Sequence, residues 1–440
     1  MQPTAPLALS WAGPFLGVLL SIAVLPAVAP RLWHRRMAWV MGLWTAALLL
    51  PWAAAFGAAD AARLAWHAVL LEYLPFVTLL LALYAAGGGV LVRGGPPGTP
   101  GGNTLMLAVG MALGIVMGQA GAAMVLVNPL LHANAHRRRK VHLPLFLIVL
   151  VANASGALTP LGNPPLYIGF LHGVPFLWPA RHLIAPLAVL TGLLLLAFYL
   201  IDRRLAAAEP PAPAPARLRV RGWGNAALIL LTGAVVLAQN SVRTGEVTIL
   251  DEAVPLMRLI AILAFLAITL ASAAITPKAI RQGNDFTWAP MTEVALLFLA
   301  IFVTIEPVLD MLQAGLSGPL APVLRLTLTP DGAPRPAAFF WLAGILSAFL
   351  DNAPTYLVFF NIAQINPAAM SAAQEAALAA LSAGAVFFGG LTYIGNAPNM
   401  MVRGVASHRG VRMPGFLGFL VLSAALLLPA FAVLTALFFH

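Results

Sequence analysis

Runs of roughly twenty apolar residues recur along the whole chain with only short polar breaks between them, and nothing else in the sequence limits the fold as tightly. A hydrocarbon core about 30 Å thick is crossed by ~20 apolar residues of helix at ~1.5 Å per residue. Such runs lie near 11–29, 37–57, 68–92, 143–171, 182–201, 223–240, 255–276, 288–310, 375–400 and 415–438. Two further runs, 103–131 and 337–365, are interrupted near their middles by small or polar residues. With 61% hydrophobic and 9% charged residues, the chain cannot cover a water-facing surface. It reads as an all-α polytopic membrane protein.

The formal charge of +10 would suit a nucleic-acid partner, but the basic residues fall in short clusters between the apolar runs. That is the pattern that sets membrane topology, so membrane lipid is the expected partner and nucleic acid is not. Cysteine is absent, which excludes disulfides, thiolate metal sites and cysteine nucleophiles. The first run has no basic residue before it and Arg31, Arg35 and Arg36 after it. A secretory signal carries its charge in front, so this run reads as an uncleaved helix. With the N-terminus outside and each interrupted run turning back as a re-entrant hairpin, 18 of the 24 Lys and Arg residues fall on the cytoplasmic side of a bacterial inner membrane. If both hairpins crossed fully, the cluster Arg137–Lys140 would lie outside.

An internal repeat organises the chain. Leu158-Thr159-Pro160-Leu161-Gly162-Asn163-Pro164-Pro165 recurs as Leu391-Thr392-Tyr393-Ile394-Gly395-Asn396-Ala397-Pro398, with five of eight positions identical at an offset of 233. The same offset lays Gln119-Ala120 on Asn352-Ala353 and Asn128 on Asn361. The expected division is a first repeat over 1–204, a cytoplasmic Pro/Ala linker over 205–222 and a second repeat over 223–440. Each repeat holds five membrane helices, one of them broken, and one hairpin. Five is odd, so the second repeat is inverted relative to the first.

Chemistry concentrates where the apolar runs break. Proline removes a backbone donor and glycine tolerates unwound geometry, while bare backbone groups in hydrocarbon cost several kcal/mol each. An unwound stretch repeated in both halves therefore reads as a binding site rather than a proline kink. Carbonyls and the oxygens of Thr159, Asn163, Thr392 and Asn396 suit a dehydrated Na⁺, Gly162 and Gly395 supply the open backbone, and the helix N-terminus that follows suits an anion. The first hairpin tip offers Gln119 and Gly121 without a carboxylate, whereas the second reads Asp351-Asn352-Ala353-Pro354-Thr355. A carboxylate there costs at least ~2.5 kcal/mol unless paired or protonated, which marks Asp351 as a proton or cation exchanger. Asp351, Asn352 and Asn396 are the expected Na⁺ ligands, with Thr355 beside them. Glu72 and Glu293 read as first-turn carboxylates favoured by a helix dipole, and Glu306 and Asp310 as solvated acids near the outer end of a helix. No metal-spaced histidine group, HExxH or nucleotide-binding loop occurs, so neither an enzyme nor an ATP-driven pump is expected, and no cofactor beyond transported Na⁺ and H⁺.

At these residues the chain resembles the ion transporter superfamily of sodium/proton antiporters, arsenite permeases and citrate or dicarboxylate carriers. It is most similar to bacterial proteins labelled as citrate-transport or sodium:proton antiporter proteins. The likeness rests on Gly121–Met124, Leu158–Pro165 with Leu171-His172-Gly173-Val174-Pro175-Phe176, Asp351–Thr355 and Leu391–Asn399, and it runs over nearly the whole chain. It implies a scaffold of outer helices around a mobile core of two hairpins and two broken helices, in a form compatible with a homodimer. Asp351-Asn352-x-Pro looks like the hairpin of sodium/proton antiporters, whereas dicarboxylate carriers place Ser-Asn-Thr at both tips. Relatives often have Asp where this chain has Asn163. The expected function is a sodium/proton antiporter working by alternating access. The alternative is a cation-coupled citrate or dicarboxylate carrier, against which stands the lack of any Arg or Lys at membrane depth.

Overall fold

The computed structural model describes residues 7–242, 244–249, 252–350 and 352–440. The first half runs α1 (Gly13–Val28), α2 (Pro30–Phe56), α3 (Ala58–His67), α4 (Leu74–Gly87), β1 (Leu91–Gly95), α5 (Pro100–Ala133), α6 (His142–Phe146), α7 (Pro164–Leu171) and α8 (Trp178–Ala206). After β2 (Ala216–Arg221) come α9 (Trp223–Ser241), β3 (Glu246–Ile249), β4 (Glu252–Pro255), α10 (Leu256–Ile275), α11 (Lys278–Gly283), α12 (Ala289–Gln313) and α13 (Ala321–Thr327). The chain closes with α14 (Pro336–Leu350), α15 (Asn352–Ile362), α16 (Ala372–Phe387), α17 (Ala397–His408) and α18 (Phe416–Phe438).

Among the described residues, nine helical segments are long and apolar enough to cross a membrane, and three shorter apolar helices accompany them. The protein is a multi-pass membrane protein. Leu20, Leu43, Leu263, Leu270, Leu417 and Val421 lie exposed on these helices, as side chains facing lipid rather than water would. The chain is all-α, as expected, with only two short strand pairs beside the helices. The Pro/Ala linker ends in β2, which pairs antiparallel with β1, and β3 pairs with β4. Backbone outside a helix needs partners, and the strand pairs supply them at the rim of the bundle.

Both interrupted runs fold back on themselves. A straight 34-residue helix would be about 51 Å long, yet Asn103 and Asn134 at the two ends of α5 exchange side-chain hydrogen bonds of 3.0 and 2.7 Å. The reversal comes at Gly118, whose φ of 76° falls in the region that only glycine adopts freely. In the second half, the Phe339 ring at the start of α14 meets the Phe359 ring near the end of α15 at 5.9 Å. The base of α5 is tied down by buried polar groups. Arg137 pairs with Asp202 of α8, which also takes Asn103 Nδ2 and lies against His142 Nε2, each at 2.8 Å. Glu209, just beyond α8, accepts from the backbone N–H groups of Arg138 and Arg139, and these bonds hold its carboxyl below the usual range.

The broken helices repeat each other in detail. After α6 the helix loosens through a π turn (Leu147–Val151) and a 3-10 turn (Ala154–Leu158), then unwinds over 159–163 before α7. After α16 a 3-10 turn (Phe388–Leu391) leads into the unwound 392–396 and α17. Thr159 and Thr392 are both extended, as are Asn163 and Asn396. Pro164-Pro165 and Pro398 explain the break, because proline can begin a helix but cannot continue one.

Candidate functional site

Each unwound segment is splinted to a folded-back run in the same way. Thr159 Oγ1 donates to Ile115 O at 2.6 Å, and Thr392 Oγ1 donates to Ala348 O, the position 233 residues later. The two hydroxyl oxygens accept from Gly162 N at 3.2 Å and Gly395 N at 2.9 Å. Both threonines are thus committed to backbone. Gly162 and Gly395 serve close approach: a Cβ on Gly162 would come within 2.4 Å of Gly156 O, and one on Gly395 within 2.8 Å of Gly389 O. The first tip is joined to its unwound segment by Gln119 N donating to Gly162 O at 3.0 Å.

A chain of buried amides connects the two halves. Asn163 and Gln119 side chains meet at 2.8 Å. With its amide oxygen turned to Asn396 Nδ2 at 2.7 Å, Gln119 presents its nitrogen to the carbonyls of Ala152 and Asn153. Asn396 Nδ2 donates to Ala152 O and Asn153 Oδ1, both at 3.0 Å. Asn153 Nδ2 in turn donates to Ile148 O and to Asn399 Oδ1, both at 2.8 Å. Asn399 closes the chain by donating to Gly389 O and Thr392 O. At Gly389 the side-chain amides of Asn153 and Asn352 converge, each with an atom 2.6 Å from where a Cβ would stand. The Asn352 side-chain nitrogen donates to Ser347 Oγ at 2.8 Å, Gly395 O at 2.9 Å and Ala385 O at 3.1 Å, and Thr355 is buried beside it. Asp351 lies outside the described residues.

Beside this chain lies a cavity of about 90 Å³. Gln119, Gly121 and Gly162 of the first half and Asn396 of the second all line it. Asn163, Thr159, Asn352, Thr355, Thr392 and Gly395 do not reach its wall and sit behind it or at the second tip. Tyr84, whose hydroxyl donates to Thr287 O at 2.8 Å, also lines it, and most of the remaining wall is apolar, with Leu83, Met117, Met291, Phe298 and Met401 from α4, α5, α12 and α17. A vestibule of about 610 Å³ shares Pro290, Val294, Phe298, Asn396, Ala397 and Met401 with the cavity and leads past Glu293, Tyr393 and Arg403. Glu293 accepts from Trp33 Nε1 at 3.2 Å, and the Arg403 guanidinium stands 4.4 Å over the Tyr393 ring.

The chain matches a known family over almost its entire length. A family model described as "Putative citrate transport" covers residues 4–439. The chain belongs to this family. No curated protein matches it. For a member of the citrate-transport family, three of the residues just described had no place in the sequence reading. Asn153 and Asn399 are polar residues inside apolar runs, which is the one signal that could have found them; the partners that give them meaning lie in the opposite repeat. Arg403 reads in sequence as a topology-setting loop cation, but α17 carries it into the vestibule wall.

The acids also differ from expectation. Helix α3 begins at Ala58 and runs on through a π turn (Ala68–Tyr73) into α4, so Glu72 lies inside a continuous span rather than in a first turn. It stands 3.6 Å from His172. Glu293 sits one residue past the first turn of α12. Asp310 is exposed, as expected of a solvated acid, and Glu306 is half-buried. Among the described residues no group of three or more His, Asp or Glu side chains could hold a metal ion.

Proposed function

We propose that the chain is a secondary transporter of organic carboxylates coupled to a cation gradient, working by alternating access in a bacterial inner membrane. One observation carries the reading: the first hairpin tip and both unwound segments converge on a single cavity whose polar groups, among the described residues, are amides, the Tyr84 hydroxyl and backbone rather than carboxylates. Two repeats of inverted topology, each with a re-entrant hairpin and a broken helix, account for the paired splints, and rocking such a core against α2, α4 and α12 would expose the cavity to each side in turn. The family description points the same way.

Sodium/proton antiport is the second reading, favoured by Asp351 in the sequence Asp351-Asn352-Ala353-Pro354. Protein reconstituted into sealed, ATP-free proteoliposomes separates the two. Uptake of a labelled carboxylate that depends on an imposed Na⁺ or H⁺ gradient is the expected result. Na⁺-driven proton movement with no carboxylate uptake would replace it with antiport.

A further inference from the structure

Resting on the alternating-access reading, we infer that Glu72 and His172 form a proton-binding site that fastens the broken helix α7 to the α4–α12 frame at the end of the bundle remote from the vestibule. His172 follows the last turn of α7, and Glu72 lies in the π turn that runs into α4. The imidazole Nδ1 is 2.9 Å from Ile168 O. A carbonyl only accepts, so Nδ1 carries a hydrogen, and neutral His172 is left with a bare lone pair on Nε2. Nε2 is the atom that stands 3.6 Å from Glu72 Oε1. A carboxylate oxygen and an unprotonated ring nitrogen are both acceptors and repel. The contact is attractive only when one further proton sits on Nε2 or on the carboxyl. Glu72 Oε2 supports this, because it is buried with no hydrogen-bond partner among the described residues, which an ionised carboxylate bears at a cost.

Negative charge prevails around the pair. Glu306 of α12 is reached by the charges of Glu72, Asp310 and Glu252, and Glu252 of β4 lies 3.3 Å from His67 of α3. Asp60 and Arg63 of α3 pair with each other. Arg258 of α10 is the cation at the joint, where Nη1 donates to Leu71 O and Nη2 to Leu171 O, both at 3.2 Å, one on each side. Tyr73 adjoins Glu72, Tyr167 lies on α7, and the helices packed on α7 add Tyr356 from α15 and Glu375 from α16. A bound proton offsets part of this negative charge where α7 meets the frame. Glu306 stands about 20 Å farther along α12 than the vestibule residue Glu293, so this joint closes the opposite end. For the cavity to open there, α7 must leave Glu72, and the proton is then released to water. The joint is therefore held at acid pH and loosens as pH rises.

Distances between nitroxide labels on Ala62→Cys of α3 and Leu177→Cys beyond α7, two exposed positions of a cysteine-free chain, test this in proteoliposomes of the full-length protein. The expected result is a near-to-far population ratio that falls at least about tenfold between about pH 5.5 and 8. In Glu72→Gln the amide NH₂ donates to the unprotonated Nε2, and in His172→Lys the cation persists, so both variants should keep the near population at either pH. A Glu72→Gln profile parallel to wild type would overturn the site. Wild-type distances indifferent to pH, with carboxylate uptake intact, would overturn the site and leave the carrier reading standing. The pH shift without any carboxylate uptake would support the site and remove the carrier reading instead.

Discussion

Replacing Asn153 probes the link between the two halves at its narrowest point. The side chain is fully buried and makes three bonds, to Ile148 O, Asn399 Oδ1 and Asn396 Nδ2. In Asn153→Ala, Asn396 Nδ2 keeps Ala152 O, but Ile148 O and Asn399 Oδ1 each lose a donor. A buried polar group left unsatisfied costs about 1–3 kcal/mol, so the two together cost at least about 2–3 kcal/mol. If that cost falls on the transport-competent arrangement, uptake drops about 30- to 100-fold, at about 1.4 kcal/mol per tenfold. Asn153→Asp is sharper. A carboxylate there would face two acceptors, Ile148 O and Asn399 Oδ1, and only its protonated form can donate to either. Uptake by this variant is therefore expected at acid pH and should be lost as pH rises, while wild type changes far less. Initial rates in proteoliposomes over roughly pH 5 to 8 give the answer. Wild-type rates in Asn153→Ala, or an Asn153→Asp profile parallel to wild type, would refute the coupling.

Asp202→Asn should leave Arg137 buried without its counter-charge, at a cost of about 3–5 kcal/mol, and lower the melting temperature in detergent; an unchanged melting temperature would mean the pair does not hold the base of α5. Asn396→Ala should impair ion-dependent uptake while insertion and expression persist, and unaltered ion dependence would reduce the second unwound segment to a kink. Asp351→Asn should abolish Na⁺-driven proton movement if the antiport reading holds, and acridine-orange dequenching in everted vesicles that persists in this variant would remove its main support. Single cysteines at Arg138 and Ala373 should lie on opposite sides of the membrane, so a membrane-impermeant thiol reagent in intact cells should label Ala373→Cys alone; labelling of Arg138→Cys, alone or with Ala373→Cys, would sink the inverted repeat.

The breaks in the membrane helices were legible because proline, glycine and asparagine stand out in apolar runs, where a continuous helix is the cheapest state. Leu158–Pro165 and its copy at Leu391–Pro398 thus marked both unwound segments, and the break at Gln119 and Gly121 marked the fold-back of α5. What those segments do with their hydrogen bonds was less visible. Thr159 and Thr392 look like ligands in a motif, but their hydroxyls are taken by carbonyls 44 residues upstream. Pro164-Pro165 signalled the break and at the same time removed the donors that an anion site at α7 would need, and the sequence alone showed only the first consequence. Asn153 and Asn399 come together across 246 residues, beyond any local pattern. Glu72 was misplaced because Asp60, Arg63 and His67 make α3 read as a loop, whereas the helix runs through it. Strand β2 alternates Ala216, Leu218 and Val220 with three arginines, the period of a strand, and escaped because the Pro-Ala run before it makes the whole segment read as a linker.

The account stands on the cavity at the first tip being where substrate sits during transport, and the absence of native cysteine allows a direct measurement. Ala120 and Met401 face one another's side of that cavity from α5 and α17. Single cysteines at each, treated with a small methanethiosulfonate reagent in proteoliposomes, should be labelled with loss of uptake, and saturating substrate should slow the labelling. Labelling of both positions with uptake intact, or at a rate indifferent to substrate, would place the transport site elsewhere and contradict the account.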